Sequence, residues 1–175
     1  SDVCSSDLYR WGYNQTFPIA VVQNALASEI FHTSFEAGEE NGNSADNDSR
    51  TGIKSKTGGY SKLLTGLTPS KSYMLTYWRK SSGVWSYQST TVNLNSSTTT
   101  YSISLTGQVD EIRFYPVGAL MTTYTYTPGL GITSVTDQNN QTTYYEYDAM
   151  GRLWLVKDHN KKIIKEHKYN YRNNQ

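Results

Sequence analysis

Tyr145-Glu146-Tyr147-Asp148-Ala149-Met150-Gly151-Arg152-Leu153 is the stretch from which the fold is read. Two tyrosines at i and i+2 lie on one face of a strand, because side chains alternate across a pleat. Asp148 to Gly151 has turn chemistry: a short carboxylate bonds nearby backbone, and glycine adopts positive φ without a steric cost. Arg152 opens a return strand that runs through Val156 to a second turn at Asp158-His159-Asn160. A guanidinium there has two partners in reach, a tyrosine ring and a carboxylate.

The same elements recur on either side. Tyr124-x-Tyr126 precedes Tyr145-x-Tyr147 by 21 residues, and Val135-Thr136-Asp137 precedes Val156-Lys157-Asp158 by the same interval. Tyr169-Asn170-Tyr171 follows as a third copy, 24 residues after the second. A fixed period near 20 marks a repeat architecture, in which one hairpin cannot bury its face alone and copies stack into a sheet. The stretch from Tyr145 to Leu153 is similar to the consensus of the Rhs/YD-repeat family at its signature positions, Tyr145, Tyr147, Asp148, Gly151, Arg152 and Leu153. The first copy departs from it, with Thr127 in place of the Asp and Gly131 in place of the Arg. The resemblance implies repeat hairpins forming part of a larger β-sheet shell, in a secreted or surface-exposed bacterial protein. It also implies a scaffolding or encapsulating role, in a family that often encloses a C-terminal toxin. Its partners are then the upstream repeats of the same parent chain. Two or three repeats cannot close a shell, so a terminal piece is expected.

Residues 31–118 read as a separate unit. Short apolar or alternating runs at 52–56, 60–67, 72–81, 84–93, 99–105 and 109–115 are divided by turn residues such as Thr57-Gly58-Gly59 and Ser82-Gly83. Strands at this spacing suggest a β-sandwich. In the run from Tyr73 to Lys80, Tyr73, Leu75 and Tyr77 are the core candidates. In the last run Ile112 and Phe114 mark the buried face, which places Asp110 on it near the core edge. The order Ser34-Phe35-Glu36-x-Gly38, Thr57-Gly58-Gly59-Tyr60-Ser61, Tyr73-x-Leu75-Thr76-Tyr77-Trp78 and Val109-Asp110-Glu111-Ile112 resembles carbohydrate-binding-module-like jelly rolls. The expected class is therefore all-β: a jelly-roll sandwich followed by repeat hairpins at 119–175. Residues 9–30, with Trp11-Gly12-Tyr13-Asn14, look like shell strands too, which would make the sandwich an insertion in the repeat sheet.

Composition agrees with this reading. Fifteen tyrosines against four phenylalanines favour pleated, half-buried surfaces. The formal net charge of +1 gives no basic stripe for nucleic acid, and no apolar run is long enough for a membrane span. Residues 1–8, Ser-Asp-Val-Cys-Ser-Ser-Asp-Leu, back-translate into a sequence that resembles a common short-read sequencing adapter. They are read as an artefact, with a natural tail as the alternative. Cys4, the one cysteine, lies within them, so no disulfide or thiolate metal site is expected beyond.

Candidate sites follow from residue chemistry. Glu39-Glu40, Asp46/Asp48 and Asp110-Glu111 are the carboxylate pairs. The first two lie in a polar loop, and neighbours in a strand point to opposite faces, so none is expected to form a catalytic pair and no enzyme is expected. The jelly-roll resemblance implies a structural Ca2+ held partly by Glu36 and Asp110; hydrogen-bonded carboxylates without a metal are the alternative. No other cofactor is required. Trp78, Trp85 and Tyr87 are the candidates for glycan binding through exposed ring faces, against packing between sheets. His32, His159 and His167 lack ligand partners in sequence. Lys157, Lys161, Lys162, Lys165 and Lys168 read as protection of an exposed last strand against edge pairing.

Overall fold

The computed structural model describes residues 7–169. It is all-β, with thirteen strands and one 3-10 turn at Ala27–Glu29. The strands are β1 (Leu8–Gly12), β2 (Phe17–Gln23), β3 (Phe31–Thr33), β4 (Tyr60–Thr65), β5 (Ser72–Ser81), β6 (Val84–Asn93) and β7 (Thr100–Leu105). They continue with β8 (Gln108–Pro116), β9 (Leu120–Thr127), β10 (Gly131–Thr136), β11 (Thr142–Tyr147), β12 (Leu153–Lys157) and β13 (Ile163–Glu166). Every pairing is antiparallel.

Three sheets form three layers. The long sheet runs β1-β2-β9-β10-β11-β12-β13, the middle sheet β3-β8-β5-β6, and the third is the pair β4-β7. The module strands pair in nested fashion, β3 with β8, β4 with β7 and β5 with β6, which is jelly-roll pairing reduced to six strands. β2 pairs directly with β9 although residues 24–119 intervene, so the sandwich is an insertion between two neighbouring strands of the long sheet. Leu8, within the stretch read as an artefact, pairs with Val22 and packs on the apolar layer below. Cys4 lies outside the described residues.

The two cores explain the layering. Tyr73, Leu75 and Tyr77 meet Tyr60, Ile103 and Leu105 between the middle sheet and the β4-β7 pair, the face the alternation predicts. On the other side, Met74 and Tyr115 meet Ala20, Val22 and Met121 of the long sheet. The middle sheet is thus covered on both faces, and β8 is buried from Val109 through Pro116. The run at 52–56 forms no strand. Only Lys56 bridges to Val109, because its preceding backbone N–H groups are taken by side-chain carboxylates.

The repeat is a repeat of hydrogen bonds. Asp137, Asp148 and Asp158 each open a turn of one pattern. The side chain accepts from the backbone N–H two and four residues on, at 2.8–3.0 Å. The fourth residue, Asn140, Gly151 or Lys161, has φ of 60°, 77° or 62°. Arg152 makes both contacts expected of it, a forked bond to Asp148 at 2.9 and 2.7 Å and a seat over the Tyr169 ring at 4.1 Å. The tyrosine hydroxyls link each strand to the previous return strand: Tyr126 donates to Pro18 O, Tyr147 to Ile132 O and Tyr169 to Leu153 O, at 2.7–2.8 Å. The third copy is therefore shifted. Tyr169 is the counterpart of Tyr147, not of Tyr145, and Tyr171 lies outside the described residues. Gly131 also gains a reason, since a Cβ there would stand 2.8 Å from the Tyr147 hydroxyl.

The Tyr147→Phe variant should lose about 1 kcal/mol of stability, the net worth of one hydrogen bond, as read from denaturant midpoints. Gly131→Val should lose more, because it both displaces the ring and strains a backbone at φ 139°. Equal stability of Gly131→Val and the parent would refute this account of the glycine.

Candidate functional site

Five buried charged residues, Glu36, Arg50, Asp110, Glu111 and Arg113, converge at the junction between the inserted sandwich and the long sheet. A β-bulge builds this site. Thr76 opposes Arg113 and Trp78 opposes Asp110, so two residues of β8, Glu111 and Ile112, face Tyr77 alone. Glu111 takes up the change with φ of 49°. The bulge resets the alternation. Val109 joins Ile112 and Phe114 in the sandwich core, and Asp110 and Glu111 both turn to the other side. Strict alternation therefore fails at this point. Asp110 does not mark the core edge but is fully buried between the layers, and it faces the same way as Glu111.

The two carboxylates grip one segment from below. Asp110 accepts from the backbone N–H of Arg50 and Thr51 at 2.7 and 2.9 Å, and from that of Glu111 at 2.7 Å. Glu111 accepts from the hydroxyls of Thr51 and Ser34 at 3.0 and 2.7 Å, and from that of Thr123 on β9. Glu36 takes the next two amides, Ile53 and Lys54, at 2.8 and 2.9 Å. Gly52, at φ 60°, passes so close that a Cβ would lie 2.3 Å from the Glu36 carboxylate. Glu36 and Asp110 are thus neighbours, as the calcium reading requires. Their partners, however, are N–H groups, which point positive hydrogens at the oxygens and cannot ligate a cation. Among the described residues no group of three or more His, Cys, Asp or Glu is placed to hold a metal. The residues present fit a role in holding peptide, not a cation.

Two arginines carry the junction to the repeat turns. Arg113, fully buried on β8, donates to Asp137 O at 3.0 Å, to Asn140 Oδ1 at 2.8 Å and to Met121 O. Arg50 donates to His159 O at 2.7 Å. It lies over the ring of Trp78, 4.0 Å from the centroid, with Tyr144 on the other side at 5.5 Å. Tyr144 in turn donates to Arg50 O at 3.1 Å. The sandwich therefore holds two of the three Asp turns, those at Asp137 and Asp158.

This overturns one glycan candidate. Trp78 is only 8% exposed, wedged among Arg50, Tyr87 and His159, and offers no face to a sugar. Trp85 and Tyr87 share its side of the middle sheet and do not pack between the sandwich layers. Trp85 is half-buried under Lys80, and Tyr87 is 38% exposed. His159 is no isolated turn histidine: Nδ1 accepts from the Thr142 amide at 3.1 Å. His32, Ser34 and Glu111 stand in line, but Ser34 donates to the glutamate itself and all three are buried. A nucleophile also needs an open face for substrate, and this buried line has none.

Burial also sets the protonation of the junction. It pushes Glu36 and Glu39 up to about 7 and His32 down to about 4. Asp110 is raised by burial and by the Glu111 charge. Burial opposes ionisation of Glu111 as well, but the charges and hydroxyls around it, with His32 and Arg113 foremost, hold it below the usual range. The two groups are thus pushed in opposite directions, Asp110 towards protonation and Glu111 towards ionisation.

No family model matches the chain, and no curated protein or solved structure is significantly similar to it.

The raised carboxyls fix the sign of the pH dependence. Glu36 and Glu39 stabilise the fold fully below the unfolded value of about 4.3, and this contribution is lost as pH rises towards about 7. His32, with its folded value depressed, opposes them between about 4 and 6.5, as does His159, while the raised Asp110 adds to them. Stability should therefore fall from pH 5 to pH 8, measured by thermal melting. Glu39→Gln should flatten the fall by about 1.4 kcal/mol per pH unit between about pH 5 and its folded value of about 7, the weight of one proton. A midpoint that rises steadily from pH 5 to pH 8 would refute this.

Proposed function

We propose that the chain is a non-enzymatic structural segment of a larger β-sheet shell of the Rhs/YD-repeat kind. It acts as scaffold, for encapsulation or surface presentation, in a secreted or cell-surface bacterial protein. The observation that carries this reading is the tyrosine-to-carbonyl link repeated on three successive strand pairs, each with an Asp turn beside it or one strand away. Such a sheet grows by adding hairpins, and its outer strands here, β1 and β13, are each paired on one side only. Upstream repeats of the same parent chain are the natural partners for such an edge. The buried carboxylates serve the docking of the inserted sandwich, and the reading requires no cofactor. Among the described residues no helix is long and apolar enough to cross a membrane.

Electron-microscopic imaging of the longest natural chain that contains this segment should show a hollow particle walled by the repeat sheet. A solid particle, or a string of separate sandwiches, would overturn the proposal.

A second reading, an adhesion module that binds glycans through the sandwich, draws on the exposure of Tyr87 beside Trp85. A polysaccharide pull-down that succeeds with the parent chain and fails with the Trp85→Ala, Tyr87→Ala double variant would favour it. Failure across neutral and acidic polysaccharides alike would remove it.

A further inference from the structure

Docking of the sandwich leaves a crevice of about 330 Å3 between the 47–53 segment and the long sheet at β10–β12. This is at the lower end of the range for small-ligand pockets. Three cations line it, Arg50, Lys157 and Lys161, against one carboxylate, Glu146. Glu146 is already bound to Lys157 at 2.5 Å, which leaves two positive charges in excess. Lys161 is held over the Tyr144 ring, 5.2 Å from the centroid, by its place as fourth residue of the Asp158 turn. Burial, Arg50 and Lys157 lower its affinity for a proton and outweigh Asp110 and Glu146, which raise it. Arg50 is more than nine-tenths buried, and its Nε has no hydrogen-bond partner among the described residues. A buried guanidinium N–H without an acceptor costs free energy that an anion would recover.

We propose that this crevice binds an acidic sugar residue, a pyranose bearing a carboxylate. The excess charge selects the anion. The rest of the lining suits the ring: Tyr144 contributes aromatic surface, and Ser49 and Thr133 offer hydroxyl oxygens for the sugar's own hydroxyls. The site lies at the junction of the insertion and the repeats, remote from a Trp85 and Tyr87 platform. It exists only where the sandwich is docked, and neither the shell reading nor the platform reading depends on it.

Calorimetric titration of the full chain with glucuronate, glucose and sulfate tests this, with chemical shifts of the Tyr144 ring as the local readout. Glucuronate should bind and shift that ring, and glucose should not bind. Lys161→Gln should weaken glucuronate about tenfold, as expected for loss of one charge-assisted contact. Lys161→Arg should restore it, with melting midpoints confirming that both variants fold. Glucose binding as well as glucuronate, or Lys161→Gln binding unchanged, would overturn the proposal. So would sulfate binding as tightly as glucuronate and blocking it, which would assign the crevice to a bare inorganic anion.

Discussion

The structure depends on the bulge at Asp110 and Glu111. A strand with regular alternation would place one of these carboxylates in the apolar core of the sandwich, where an unpaired charge is very costly. The extra residue turns both to one side, where amides, hydroxyls and Arg113 await them. The cost is a non-glycine residue in the left-handed region. It is sustained because β8 is an inner strand of the middle layer and is fixed by neighbours on both faces. From this one irregularity follow the path of the 50–54 segment, the reach of Arg50 to the turn at His159, and the seating of the sandwich on the long sheet.

The junction is polar where most layer contacts are apolar. Thr123, Thr125, Ser134, Thr136 and Thr142 line the long sheet below the sandwich, all buried. Their hydroxyls bond one another across strands, as Thr136 with Thr142 at 3.0 Å, or bond the module, as Thr123 with Glu111. A satisfied polar layer adds little net stability but specifies one geometry, because any shift leaves buried donors unpaired. An insertion that must sit in one place on a growing sheet gains from that property. Apolar contact is confined to a patch around Val22 and Met121, beside the chain crossings at 23–30 and 116–120.

Much of this was legible beforehand. The strands of the inserted module follow the runs between turn residues, and β5 falls on Ser72–Ser81 as its alternation requires. The Asp-x-x-Gly turn and the two partners of Arg152 follow from local chemistry alone. Two features were illegible for a shared reason. The bulge has no glycine to announce it, and nothing local distinguishes Trp78, a junction residue, from a surface platform. Both are decided by what packs on the second face of the middle sheet. The register of the third repeat is a milder case: Tyr169 and Tyr171 are equal in sequence, and only the pairing of β12 with β13 selects Tyr169.

The sequence by itself determined the local menu: all-β secondary structure, the turns, the strand faces of the sandwich, and a repeat near 21 residues. These rest on periodicity and backbone chemistry, which act over a few residues. Tertiary structure alone decided that β2 and β9 are neighbours, that the sandwich lies flat on the repeats, and that Glu36, Asp110 and Glu111 point into its seams. Those outcomes join residues some 60 to 110 positions apart, as Arg50 joins Asp110 and His159. Their energetics rest on pairing charged groups whose removal from water would otherwise be costly, which no short window of sequence can register.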